Sequence, residues 1–261
     1  MGASERALGK VLSERGDRGQ VLIISKGGHP PFLPSYPRPA KYLAPDVVRR
    51  DIGESLERLG DAVGYIDLYL LHRDDRRVPV GELITLLNEE VRKGGIRHFG
   101  VSNWRPERIE EANQYARAQA LAGFVASQPL FTLAQHNEPE SADDTAIRYL
   151  WPADRAWHER TQFPAFCYSP TAQGYFASNG KLARKAFDNA ISRGRLERAR
   201  QLAGKRGGGV TANQVALAYV RAQKFPAIPI LGTAKLDHLH DALKAAAVKL
   251  TAEEAHRLAQ V

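Results

Sequence analysis

The chain has a single cysteine, Cys167, so an internal disulfide is excluded. A lone thiol suits a reducing compartment, and its expected role is that of a small buried hydrophobe. No apolar run nears the roughly 20 residues that a membrane span requires, and the opening Met1-Gly2-Ala3-Ser4-Glu5-Arg6 lacks the apolar core of a secretion signal. The expectation from these absences is a cytoplasmic protein without a membrane partner. Nucleotide-binding glycine turns are missing too. No Gly-x-Gly-x-x-Gly follows an apolar run, and the glycines within residues 204–209 do not open a phosphate loop. The histidines His136, His158, His238 and His240 stand in no metal-ligand spacing. His72-Arg73-Asp74 has the letters of a kinase catalytic loop, but the Asn needed five residues after the Asp is Pro79.

What is present is a chain that can bury a core, with 43% hydrophobic residues, and a formal charge of +8. That charge raises the question of nucleic acid. Lys and Arg are mostly interleaved with Asp and Glu, however, and the densest basic stretch, residues 193–206, reads equally as a solvated helix face. No nucleic-acid partner is expected. A positive protein does suit a phosphorylated, anionic cofactor.

Six short apolar runs recur, at residues 20–25, 66–71, 96–101, 124–127, 165–168 and 227–231. Near-continuous hydrophobicity over such lengths is the mark of strands covered on both faces. Helical patterns lie between them. Pro45–Leu59 sets Val47, Val48, Ile52, Leu56 and Leu59 on one stripe, and residues 80–91 repeat this with Leu83, Leu86, Leu87 and Val91. Residues 105–120 open with Pro106 and early acids, and residues 211–223 and 236–247 are further helices. Thr251 and Glu254 form a capping-box pattern for a last one. Strands alternating with helices predict parallel βα units. The chain is long enough for a complete eight-stranded barrel, yet six units are visible; an open doubly wound sheet is the alternative, disfavoured by the missing glycine turn. The proline-bearing connection at residues 30–45 is long for a βα loop, which usually marks function.

In a barrel the chemistry gathers where strands end. The residues there are Lys26, His72, Ser102-Asn103-Trp104, Gln128, Tyr168-Ser169-Pro170 and Gly232-Thr233. A strand-end lysine is ordinarily solvated, a histidine there is ordinarily structural, and Ser-Asn is an ordinary helix cap. Their convergence on one mouth is what suggests a polar ligand.

Residues 2–9, Leu68-Tyr69-Leu70-Leu71-His72, Gly100-Val101-Ser102-Asn103-Trp104 and Tyr168-Ser169-Pro170 recur in one family in this order. So do residues 212–218 followed by Ile228-Pro229-Ile230-Leu231-Gly232-Thr233. On these matches the chain resembles the aldo-keto reductases over essentially its whole length. The resemblance implies a single domain, residues 1–261, with the (β/α)8 TIM barrel of that family. It would be incomplete: six of eight βα units, without the first two strands and first helix. It also implies NADPH-dependent reduction of aldehydes or ketones, with a small-molecule carbonyl substrate. Lys26 matches the family lysine that lowers the catalytic tyrosine's pKa, and His72 the histidine that orients and polarises the carbonyl. Ser102, Asn103 and Gln128 match the residues that hydrogen-bond the nicotinamide carboxamide, and Tyr168 the aromatic beneath the ring. Ser169, Pro170, Thr171 and Gln173 would line the pyrophosphate path, with Gly232, Thr233, Lys235 and His238 toward the adenosine phosphate. There His238 stands where an Arg is common, and Ala242 where an Asn is.

The family's catalytic Asp and Tyr have no counterpart in these residues, the first tyrosine after Lys26 being Tyr36. The expectation is therefore an inactive or impaired reductase, or else a non-catalytic NADPH-binding, regulatory barrel. Self-association through the incomplete barrel edge is expected as well.

Overall fold

The computed structural model describes residues 2–31 and 38–261. Tyr36 and the middle of the proline-bearing loop lie outside the described residues. The chain divides into two compact units, residues 1–127 with 142–146, and residues 128–141 with 147–261.

The first unit begins with α1 (Ala3–Arg15), followed by β1 (Ile24–Gly27), α2 (Pro45–Leu59) and β2 (Ile66–Leu71). It continues through α3 (Val80–Arg92), β3 (Ile96–Ser102) and α4 (Pro106–Ala118). The strands are parallel neighbours in chain order, with Lys26 opposite Leu70 and Leu71 opposite Val101. Every residue of β2 is buried, as its unbroken hydrophobicity predicts for a strand covered on both faces. The stripe read on α2 buries Val47, Val48, Ile52 and Leu59, while Leu56 is half-buried. Pro45 occupies the first turn of α2, where its missing N–H costs nothing. Each fully buried Ile or Leu on these faces contributes about 1.5–3 kcal/mol.

β4 (Ser127–Gln128) is only two residues long, shorter than its apolar run predicts. The residues before it still pair: Val125 N–H donates to Phe99 O and Val101 N–H to Ala126 O, both at 3.1 Å. The first strand also differs from expectation. Residues 18–20 form a 3-10 turn, Leu22 is exposed, and the strand extends to Gly27. Of the apolar run, Ile23 and the residues after it bond to β2, with Asp67 N–H and Leu68 N–H donating to Ile23 O.

The second unit contains α5 (Pro152–Thr161), β5 (Ala165–Cys167), α6 (Arg184–Phe187), α7 (Ala190–Arg206) and α8 (Ala212–Arg221). β6 (Ala227–Pro229), α9 (Leu236–Lys244) and α10 (Ala252–Ala259) complete it. β5 and β6 are parallel, with Cys167 opposite Pro229. Its core packs Phe131, Cys167, Tyr175, Phe187, Val215 and Tyr219 together. Reciprocal capping boxes start α8 at Thr211/Gln214 and α10 at Thr251/Glu254, the second as its sequence pattern predicts. Helix α5, and α7 as a whole, were hidden in polar, charge-rich sequence without a clear apolar stripe. The helix expected over residues 236–247 stops at Lys244 and tightens into a 3-10 turn.

Among the described residues, no helix is long and apolar enough to cross a membrane, and no cluster of ligating side chains could hold a metal.

Candidate active site

In the first unit, three strands end in polar side chains. Lys26 is the third residue of β1, and two glycines follow it because nothing larger fits. A Cβ on Gly27 would overlap the Tyr69 hydroxyl, and one on Gly28, which has φ +69°, would overlap Leu43 Cδ2. The Gly28 N–H donates to Asp51 Oδ2 at 2.8 Å, and Asp51 is paired in the interior with Arg38. This fixes the turn that carries Lys26 out of the sheet. His72 follows β2 directly, its N–H donating to Gly27 O at 2.8 Å, so backbone pairing sets the spacing of the two side chains.

The His72 ring stands edge-on to His29, with centroids 4.6 Å apart. Burial lowers its pKa to about 3, with Arg73, His29 and Lys26 adding repulsion. At neutral pH it is the uncharged imidazole, able to donate a hydrogen bond from one nitrogen. Burial also lowers the Lys26 pKa, and Arg73 lowers it further. Ser102 closes β3 and is buried, as is Asn103, which takes the left-handed conformation at φ 61°. Its Nδ2 donates to Ser102 Oγ at 2.9 Å and to His72 O at 3.4 Å. Non-glycine residues are held in this region at a cost, most often where function requires it. Trp104, expected near this end, packs its ring on Phe124 at 5.3 Å as a core residue.

In the second unit Gln128 is buried at the end of β4, and Tyr168 follows β5, its N–H donating to Pro129 O at 3.1 Å. A cavity of about 1090 Å³ opens beside Tyr168. Tyr168, Ser169, Pro170, Thr171, Gln173, Gly232, Thr233 and His238 line it, so eight of the expected residues of this unit come together. Lys235 does not line it; it serves as the N-cap residue of α9, held by Thr233 Oγ1. Ser169, Ala172 and Gln173 all have φ near 50°, a concentration of left-handed backbone at the rim. Arg200 of α7 and Asn213 and Asp241 also line the cavity and were not anticipated. Asp241 accepts hydrogen bonds from Gln214 and Asn213, tying α9 to the start of α8. No local motif reveals Arg200, because a basic helix face looks the same whether or not a cavity lies under it.

The cavity suits a dinucleotide. Its volume lies at the upper end of ligand sites, an aromatic ring flanks one end, and Asn213 brings a buried Oδ1 without a hydrogen-bond partner. Arg200, ion-paired with Glu197 at 3.5 Å, brings a guanidinium to the lining.

The sequence matches the Aldo/keto reductase family from residue 1 to residue 261. The chain belongs to that family. Among curated relatives, an uncharacterized oxidoreductase of Schizosaccharomyces pombe is 29% identical over 233 residues, 89% of this chain and 63% of that protein. The oxidoreductase YrpG of Bacillus subtilis is 27% identical, across 97% of this chain and 75% of its own length. The aldo-keto reductase ausK of Aspergillus calidoustus is 28% identical, across 99% of this chain and 65% of that protein. The chain thus spans less than two thirds of two of these relatives. Among solved structures, the thermostable aldo-keto reductase Tm1743, crystallised with the inhibitor epalrestat, superposes with a TM-score of 0.69 at 24% identity. That match covers 98% of this chain and 76% of the other, and establishes the fold as the parallel α/β barrel type of the aldo-keto reductases. The family's chemistry is oxidoreduction with a nicotinamide cofactor.

Proposed function

We propose that these residues serve NADPH-dependent reduction of an aldehyde or ketone by a single-domain cytoplasmic aldo-keto reductase. The observation that carries the reading is the grouping of Lys26, a neutral His72, Ser102 and Asn103 where three neighbouring parallel strands end. When bound, the nicotinamide would supply a hydride to the carbonyl carbon. Neutral His72 donates a hydrogen bond to the carbonyl oxygen, orienting it and drawing charge toward it. Lys26 is assigned by resemblance to lowering the pKa of the proton donor that would stand beside it. Ser102, Asn103 and Gln128 are assigned by resemblance to the carboxamide. Tyr168 is assigned to the ring face, Ser169 to Gln173 to the pyrophosphate, and Gly232, Thr233, Lys235 and His238 to the adenosine phosphate.

The proton donor is the group that residues 1–261 do not match. For this chain alone we expect saturable NADPH binding and no more than trace reduction of a test aldehyde, since proton transfer contributes about 10²–10⁴-fold. The test is NADPH fluorescence titrated with folded chain, followed by absorbance at the cofactor band with 4-nitrobenzaldehyde. Binding without turnover supports the reading. Absence of saturable binding refutes the cofactor assignment, and turnover at ordinary enzyme rates refutes the missing donor. Self-association is proposed through the β1 edge, where Leu22 and Ile24 are exposed, and light scattering measures it.

A further inference from the structure

The cavity of the second unit holds an acceptor that no described residue satisfies. Asn213, the second residue of α8, lines the cavity and is 7% exposed, and its Oδ1 is buried without a hydrogen-bond partner. The amide cannot be turned over to relieve this. Its Nδ2 donates to Asp241 Oδ2 at 3.0 Å, and a carboxylate only accepts, so the amide oxygen is held on the other side. Asp241 is fixed in turn. Its Oδ1 accepts from Gln214 Nε2 at 2.7 Å and from Thr211 Oγ1 at 3.4 Å, the two residues of the capping box that starts α8. A buried carbonyl oxygen left unpaired costs stability, and a donor brought by a ligand removes that cost.

Asp241 lines the cavity beside Asn213 and carries negative charge, which disfavours acceptor-only groups such as phosphate there. The chain neighbours Ala212 and Ala242, with Val210, also line the cavity and give apolar surface against which a flat ring can pack. A dinucleotide offers phosphates, sugar hydroxyls and bases, and of these a base amine joins a flat apolar body to an N–H donor. We propose that Asn213 is a specificity-determining residue for the purine, its Oδ1 accepting a hydrogen bond from the exocyclic amine of adenine. This deepens the cofactor reading of the cavity and rests on it. The residues assigned there by resemblance concern the carboxamide, the ring face, the pyrophosphate and the adenosine phosphate, and they leave the base unassigned. A 6-oxopurine in the same place would set a carbonyl oxygen against Asn213 Oδ1, so it is rejected by repulsion as well as by a lost bond.

The test titrates the 261-residue chain with NADPH and separately with reduced nicotinamide hypoxanthine dinucleotide phosphate, in which oxygen replaces the amine of the base. Nicotinamide fluorescence reports both. NADPH is expected to bind about tenfold more tightly, and Asn213→Ala should bring the two to within about twofold by weakening NADPH alone. In the ¹⁵N-labelled native chain, the Asn213 side-chain amide signals should move further with saturating NADPH than with the saturating hypoxanthine analogue. Equal affinities in the native chain, or a preference kept in a folded Asn213→Ala, would overturn the proposal. Equal weakening of both dinucleotides by that variant would place a sugar hydroxyl on the amide and overturn it too. Should the variant not fold, the native chain decides: a preference for NADPH that leaves the Asn213 amide signals unmoved overturns the proposal. Equal binding of the two dinucleotides leaves the cofactor reading standing. If neither binds saturably, that reading falls and takes the proposal with it.

Discussion

A histidine held neutral by burial must make the fold sensitive to acid, and His72 allows the size of that effect to be worked out. Its ordinary pKa is 6.5 and its folded value about 3. Because the folded value is the lower one, the unfolded chain takes up the proton first. The stability from the neutral ring is fully present above pH 6.5 and is lost as pH falls toward 3. At about 1.4 kcal/mol per pKa unit, the ceiling is about 5 kcal/mol, with about 2 kcal/mol already lost at pH 5. Asp74 acts in the opposite sense. Burial raises its carboxyl to about 6, so its folded form takes a proton early and gains stability as pH falls from 6 toward 3.8. The native chain by itself would show a muted pH profile, and the contribution of His72 appears only as a difference. The perturbation is His72→Gln, which keeps a polar group of similar reach and removes the titration. Urea unfolding at pH 7.5 and pH 5, followed by the amide signals of Leu70 and Leu71, reports the first unit directly. The stability of the native chain relative to the variant should fall by about 2 kcal/mol between the two pH values. A gap that does not change with pH would refute the argument, because burial would then not be holding the ring neutral.

Two further outcomes follow from packing. Gly100→Ala should cost about 2–3 kcal/mol by urea unfolding, since the new methyl meets the Ala126 carbonyl oxygen and lies 2.9 Å from Leu70 Cδ2. A neutral result would show that β3 can shift away from the segment preceding β4. Cys167 is fully buried and its thiol pKa is pushed up by desolvation, so a disulfide reagent at pH 8 should modify it only at the rate of unfolding. Rapid labelling of native protein would contradict that core assignment.

Much of the site could be read directly because strand-end residues occupy positions set by local rules. An unbroken apolar strand followed by a polar residue, as in Leu70-Leu71-His72, says where the sheet stops and what stands at its mouth. Pro45 and the turn at Gly60 bound α2, and Thr251 with Glu254 starts α10, through backbone constraints carried by the residues themselves. The six strands, the parallel arrangement and the identity of Lys26, His72, Ser102, Asn103, Gln128 and Tyr168 all come from such short-range chemistry.

What the tertiary structure decided is the state of those groups and the company they keep. His72 is neutral because packing removes water from it, and nothing in its neighbours along the chain announces that. Arg73 is anchored because residue 145 returns from far along the chain to hold it. Arg200 reaches the cavity, and Lys235 does not, because α7 and α9 are placed by packing while the sequence around both is simply basic and polar. Desolvation, charge pairing and cavity shape depend on atoms distant in sequence. The order of residues therefore names the chemical groups, and only the fold sets their protonation and what they can bind.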